Sequence, residues 1–270
     1  MTHYVPLNKT DHATHGWRKA ESLSFAAEQS AVAVLLDELP HLLPTLPLAF
    51  IRHATDDGAG RYELMALLSV TPKLNLFVAP DGRWLGGYLP AEFRGYPFRL
   101  IPEQSSGQRV LCFDQDSGLL SDQPAADGVP FFDADDNLSP SMQNVLSFLN
   151  TCEQSRKQTQ YAVDTLTEHG LMTPWPIKLN TGEENAHEVK GLFRIDEAAL
   201  RSLSGDALQT LAQSNALSLA YAQLLSQHRL QGLSKLYDLQ ARAKQAQTPL
   251  SKDDVEGMFG AQDDTLKFNF

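Results

Sequence analysis

Cysteine is scarce in this chain. There are two in 270 residues, Cys112 and Cys152, far apart and in no CxxC spacing. That excludes a disulfide framework and a thiolate zinc knuckle as expectations. It makes a reducing compartment, the cytoplasm, the expected location. Long apolar runs are also missing. The longest, residues 31–36 and 47–51, fall far short of the roughly 20 residues that a membrane-spanning helix needs. The opening MTHYVPLNKTDH has no apolar stretch of the kind that a secretory signal requires, so no cleavable leader is expected. Basic residues are outnumbered, with 22 Lys and Arg against 33 Asp and Glu, a net charge of −11. A field of that sign opposes phosphate backbones and anionic lipid, so nucleic acid is not an expected partner.

Local catalytic signatures are lacking too. The sequence has no phosphate-binding loop, no GxGxxG, no GxSxG and no HExxH. Its eight histidines are scattered, and His187-Glu188 has no second histidine to complete a zinc motif. His53 and Asp56 stand one residue too far apart for the HxD pair of iron oxygenases. The run Asp133-Ala-Asp135-Asp136-Asn137 imitates a calcium loop, but Leu138 and Asn144 replace the glycine and the glutamate that the loop needs. A solvated turn is the expectation there. No metal and no cofactor is expected.

What is present is an ordinary globular composition, 42% hydrophobic and 20% charged, in a chain long enough to bury a core without staples. Residues 1–20 are polar and read as irregular. Prolines at 40, 44 and 47 break the apolar text before residue 51 into short pieces, with strands over 31–35 and 48–53 and a helical turn after Asp37. Residues 62–70 read as a strand or a short buried helix. The apolar runs 74–79 and 83–88 flank Pro80-Asp81-Gly82, which predicts a β-hairpin. Further strands are expected over 98–102 and 109–113. The acidic, turn-rich segment 114–138 reads as a surface loop.

Ser139-Pro140 then opens a long helix that Gly170 stops, with apolar residues at 142, 145, 149, 152, 163 and 166. Its polar middle, 153–160, is either exposed or paired with another polar surface. A strand over 189–195, a helix capped by Asp196 and further helices over 206–213, 217–228 and 233–245 follow. The expected fold class is therefore α+β, an antiparallel sheet-rich N-terminal half packed on a mostly helical C-terminal half. A β-rich region 1–138 and a helical region 139–245 would pack as one unit, with 246–270 as an acidic, flexible tail.

With these segments placed, the chain resembles the SapC family of bacterial proteins. The pieces that carry the resemblance are Leu46-Pro-Leu-Ala-Phe50, Asn75-Leu-Phe-Val78, Asp81-Gly-Arg-Trp84, Tyr96-Pro-Phe98, Pro174-Trp-Pro176 and the run from Gly191 to Leu200. Where the family usually has two arginines before the Tyr-Pro-Phe, this chain has Arg94-Gly95. The resemblance implies a link to surface-layer systems, or to TonB-dependent receptors and flavin-dependent halogenase-like proteins encoded nearby. It supplies no catalytic residues. A peptide-transporter permease label that some members carry conflicts with the missing membrane spans.

Arg83, Trp84, Tyr88, Arg94 and Tyr96 are the candidate binding residues, which with Arg99 would form a cation and aromatic surface suited to a carboxylate, a sugar or a peptide end. The competing reading packs Trp84 and Tyr88 in the sheet, with the arginines as its solvated rim. Trp175 reads as a wedge between the two halves. Were a groove to open there, Trp175 and Arg194 would line it. Leu266, Phe268 and Phe270 end the tail and would dock on a partner or back on the chain itself. The functional expectation is a soluble, non-catalytic accessory protein that binds a protein, peptide or glycan partner. The alternatives are an enzyme with a dispersed site, working with the halogenase-like neighbours, and a surface-layer component.

Overall fold

The computed structural model describes residues 3–55, 58, 60–103, 107–179, 187–246 and 250–260. Antiparallel sheets and a set of helices build an α+β fold around two hydrophobic cores.

The larger core lies on a five-stranded antiparallel sheet. Its order is Met172–Pro174, Leu192–Ile195, Leu48–His53, Arg61–Leu67 and Ala31–Ala33. The central pair runs in register from Leu48 opposite Ala66 to His53 opposite Arg61. The helix Ala216–Ser226 closes over these strands through Leu219, Ala220 and Ala222. Its Gln223 is fully buried, yet both ends of the amide are satisfied. Nε2 donates to the Leu48 carbonyl at 3.1 Å, and Oε1 accepts the Ile195 N–H at 3.0 Å. One side chain therefore bonds to two adjacent strands, as a polar group in a core must if its burial is not to be costly.

The smaller core is aromatic. Strand Arg109–Asp114 sits between Tyr4–Pro6 and Phe98–Pro102. The register puts Phe98 opposite Phe113 and Leu100 opposite Leu111. Phe131 closes this face edge-on to both Phe98 and Phe113, with ring centroids 6.3 and 5.5 Å apart. The segment expected as a surface loop thus contributes two buried aromatic residues, Phe131 and Phe132. Its short strands Leu120–Ser121 and Val129–Pro130 flank Gly16–Trp17, where a Cβ on Gly16 would lie 2.2 Å from the Val129 carbonyl. Residues 3–20 are likewise not irregular throughout, because Tyr4–Pro6 pairs with residues more than a hundred positions away and Gly16–Trp17 pairs with two further strands.

The hairpin expected over 74–88 is present only as its turn. Ala79 and Gly82 close it with hydrogen bonds of 2.8 Å to Arg83 and Ala79, and one bridge joins Val78 to Trp84. No strand extends from it. Leu76, Phe77, Val78, Ala79, Trp84 and Leu85 are all buried, so the segment has no polar face to alternate with an apolar one. The strand expected over 189–195 is also divided, at Gly191, whose φ of 86° breaks extended backbone.

The long helix Pro140–Glu168 is capped as its sequence predicts, the Ser139 hydroxyl accepting the Met142 N–H. It passes from one core to the other. Met142 and Leu149 belong to the aromatic core, while Ala162, Val163 and Leu166 belong to the larger one. Between them its polar middle is paired with another polar surface. Ser155 donates to Asp37 Oδ2 at 2.7 Å, and Thr159 accepts the Leu36 N–H at 2.9 Å.

Within the C-terminal segment, Lys252–Gly260 forms a helix. Its Val255 and Phe259 join the larger core, Phe259 facing Phe77. Leu266, Phe268 and Phe270 lie outside the described residues. Among the described residues, no helix is long and apolar enough to cross a membrane.

Candidate functional site

The polar junction between the two cores is organised by a buried carboxylate. Glu38 ends a short 3-10 turn, Leu36–Glu38, and is 3% exposed. Its Oε2 accepts the Leu35 N–H at 3.0 Å. Its Oε1 accepts the Ala91 N–H at 2.6 Å and the Tyr88 hydroxyl at 3.1 Å. Ala91 opens the helix Ala91–Arg94, a single turn that would not hold by itself in water. Glu38 and the chain around it fix that turn in place.

The turn presents Arg94. Its Nη2 donates to the Tyr88 hydroxyl at 2.7 Å and lies 3.9 Å from Glu38 Oε1. The guanidinium carbon sits 5.2 Å from the ring centres of both Tyr88 and Phe148, within cation–π range. The Arg94 side chain remains 41% exposed. The exposed His41 ring stacks on Tyr88 at 4.9 Å. Burial, and then the negative charge of Glu38, push the Tyr88 phenol up to about 12. Tyr88 therefore stays neutral and keeps a proton to donate to Glu38.

Beside this face runs a chain of alternating charges. Arg99 pairs with Glu92, and Glu92 Oε2 accepts from Arg156 at 3.2 Å. Arg156 Nε donates to Glu153 Oε1 at 3.2 Å, and Arg109 stands 2.8 Å from Glu153 Oε2. Burial opposes charge on Arg156, but the two glutamates outweigh it and raise its pKa, so it remains a cation. Cys152 lies among these groups, its thiol pushed up by burial and then by Glu38.

The residues singled out from the sequence fall in several places. Tyr88 and Arg94 are in contact. Trp84 lies beneath them, 8% exposed, and its Nε1 donates to the Tyr88 carbonyl at 3.0 Å. Arg83 pairs with Asp81 at 2.6 Å and reaches the Leu250 carbonyl. Tyr96 stacks on Phe25 with centroids 3.8 Å apart, beside an open groove that also includes Arg18 and Ser117. Burial, and then Asp114, raise its pKa. Trp175 is 8% exposed and packs in the larger core. Arg194 lines a separate groove with Glu197 and Arg201 and donates to Gln227.

Glu38, His41 and Phe148 escaped the sequence reading because they come from two segments, residues 36–42 and the long helix, far in sequence from each other and from Tyr88 and Arg94. Arg156 and Glu153 carried a usable signal, an opposite-charge pair three residues apart in the polar middle of an otherwise amphipathic helix.

No curated protein and no solved structure matches the chain. A family model, SapC, matches residues 7–233. That span takes in Glu38, the Arg94 turn, the charge chain and the whole of the long helix, and the chain belongs to the SapC family.

Proposed function

We propose that the chain is a non-catalytic accessory protein that binds a protein, peptide or glycan partner through the arginine and aromatic face on the turn Ala91–Arg94. One observation carries this reading. Arg94 is held between two rings and tied through Tyr88 to a buried carboxylate, yet stays 41% exposed. A guanidinium fixed in advance loses little side-chain entropy when it meets a carboxylate, and its planar fork then supplies paired hydrogen bonds. The exposed ring of His41 extends the face with a surface on which a sugar or a peptide group can stack. Because the whole chain carries −11, recognition of an acidic group here is short-ranged rather than steered from afar. The protonated Cys152 thiol beside the face is a poor nucleophile, which favours binding over covalent chemistry.

Affinity capture from native cells tests the proposal with three forms of the full chain: unaltered, Arg94→Glu, and Arg201→Glu. Arg201 is the control, an exposed arginine on another helix, paired with Glu197. A stoichiometric partner held by the first and third forms and lost by Arg94→Glu is the expected result. Equal recovery with all three would show that the partner binds elsewhere.

A further inference from the structure

We infer that the cleft between the long helix and strand Phe98–Pro102 is a binding site for a small organic acid with an apolar body. The cleft holds about 310 Å³, the lower end of the range for small-molecule sites. Neither Arg94 nor Tyr88 lines it, although Ala91 and Glu92 of the same turn do, so the inference does not rest on the partner-binding face.

The lining divides by chemistry. Leu35, Ala91, Leu100 and Leu149 form an apolar floor, Leu100 and Leu149 from the aromatic core and the other two from a small cluster with Cys152. The charge chain Arg99–Glu92–Arg156–Glu153–Arg109 forms the wall. Three guanidiniums face two carboxylates there, a local excess of one positive charge in an acidic protein. The carboxylates are also the more buried members. Glu92 and Glu153 are 21% and 14% exposed, against 53%, 40% and 39% for Arg99, Arg156 and Arg109. The accessible part of the wall is therefore cationic, and an incoming carboxylate meets guanidinium edges first.

Glu153 is the inner brace of this wall. Its Oε2 is buried and lies 2.8 Å from Arg109 Nη1, so it anchors that guanidinium from behind. A simple structural brace between helix and strand would balance its charges. This wall carries one guanidinium more than it has carboxylates, and it borders an apolar space large enough for a ring.

Calorimetric titration of the full chain with three matched probes tests the assignment. Mandelate has the ring, the carboxylate and the hydroxyl, phenylacetate lacks the hydroxyl, and 1-phenyl-1,2-ethanediol lacks the charge. Mandelate and phenylacetate should both bind saturably, and the diol at least about 10-fold more weakly. Ala33→Phe, which fills the cleft from an edge strand and leaves every charge in place, should abolish binding. Arg156→Gln should weaken mandelate and spare the diol. As an independent readout in a Cys112→Ser chain, mandelate should slow alkylation of Cys152, which lines the cleft. Equal binding of mandelate and the diol, unchanged binding in Ala33→Phe, or no saturable heat together with no protection of Cys152, would each overturn the inference.

Discussion

The carboxylate of Glu38 accepts the backbone N–H of Ala91 at 2.6 Å, joining residues 53 positions apart. The same carboxylate serves Leu35 and Tyr88. Replacing Glu38 with alanine would strand the Leu35 and Ala91 amides in a buried site. The expected loss is about 2–6 kcal/mol of unfolding free energy, taking about 1–3 for each of the two stranded groups. Tyr88→Phe, which removes one donor and leaves the amides paired, should cost only about 1 kcal/mol. Urea unfolding of the three chains measures both. Near-equal losses would show that Glu38 does not organise the junction through those amides.

Tyrosine ionisation gives an independent check on the same cluster. Tyr88 and Tyr4 are both pushed up to about 12, each chiefly by burial. A phenol whose folded pKa lies above its ordinary value near 10 binds its proton more tightly in the folded state. Its contribution to stability is complete below pH 10 and is lost as the pH rises from about 10 to about 12. Absorbance titration should resolve Tyr4, Tyr88 and Tyr96 as late-ionising tyrosines, one of which disappears in Tyr88→Phe. In Glu38→Gln the Tyr88 transition should move down, because a neighbouring negative charge no longer opposes ionisation.

The aromatic core makes a separate claim about stability. Phe131 is fully buried against Phe98 and Phe113. Phe131→Ala should cost about 3–5 kcal/mol. A loss under about 1 kcal/mol, the level of a surface substitution, would contradict its place in that core.

Gly232 permits the approach of the C-terminal helix, since a Cβ there would lie 2.3 Å from the Phe259 ring. Gly232→Ala should loosen residues 252–260 while the sheets hold. Hydrogen exchange would read this as faster exchange over 252–260 with unchanged protection of strand Leu48–His53. Unchanged exchange in both segments would show that the contact is not tight.

Legibility followed the range of the interactions. The long helix could be read from Ser139, Pro140 and its apolar spacing because caps and periodicity are local. Asp196 was readable for the same reason, and its side chain accepts the Ala199 N–H as a cap should. The hairpin misled because Pro80-Asp81-Gly82 specifies a turn, whereas burial on both sides decided what followed it. Phe131 was hidden by its acidic neighbours, since its burial depends on Phe98 and Phe113 from another part of the chain. In the candidate site, Tyr88 and Arg94 were visible as residue types in one stretch. Glu38, which holds them, carries no motif, and its bonds to Tyr88 and Ala91 cross about fifty positions.

Site-specific photocrosslinking in native cells tests the central claim most directly. A benzoylphenylalanine replacing His41, whose exposed ring stacks on Tyr88, would report on whatever meets the Arg94 face, and the same group replacing Arg201 would serve as the control. The account predicts a discrete crosslinked species from position 41, absent from position 201 and lost when Arg94→Glu is added. A species formed from position 201 instead, or one from position 41 that survives Arg94→Glu, would contradict it.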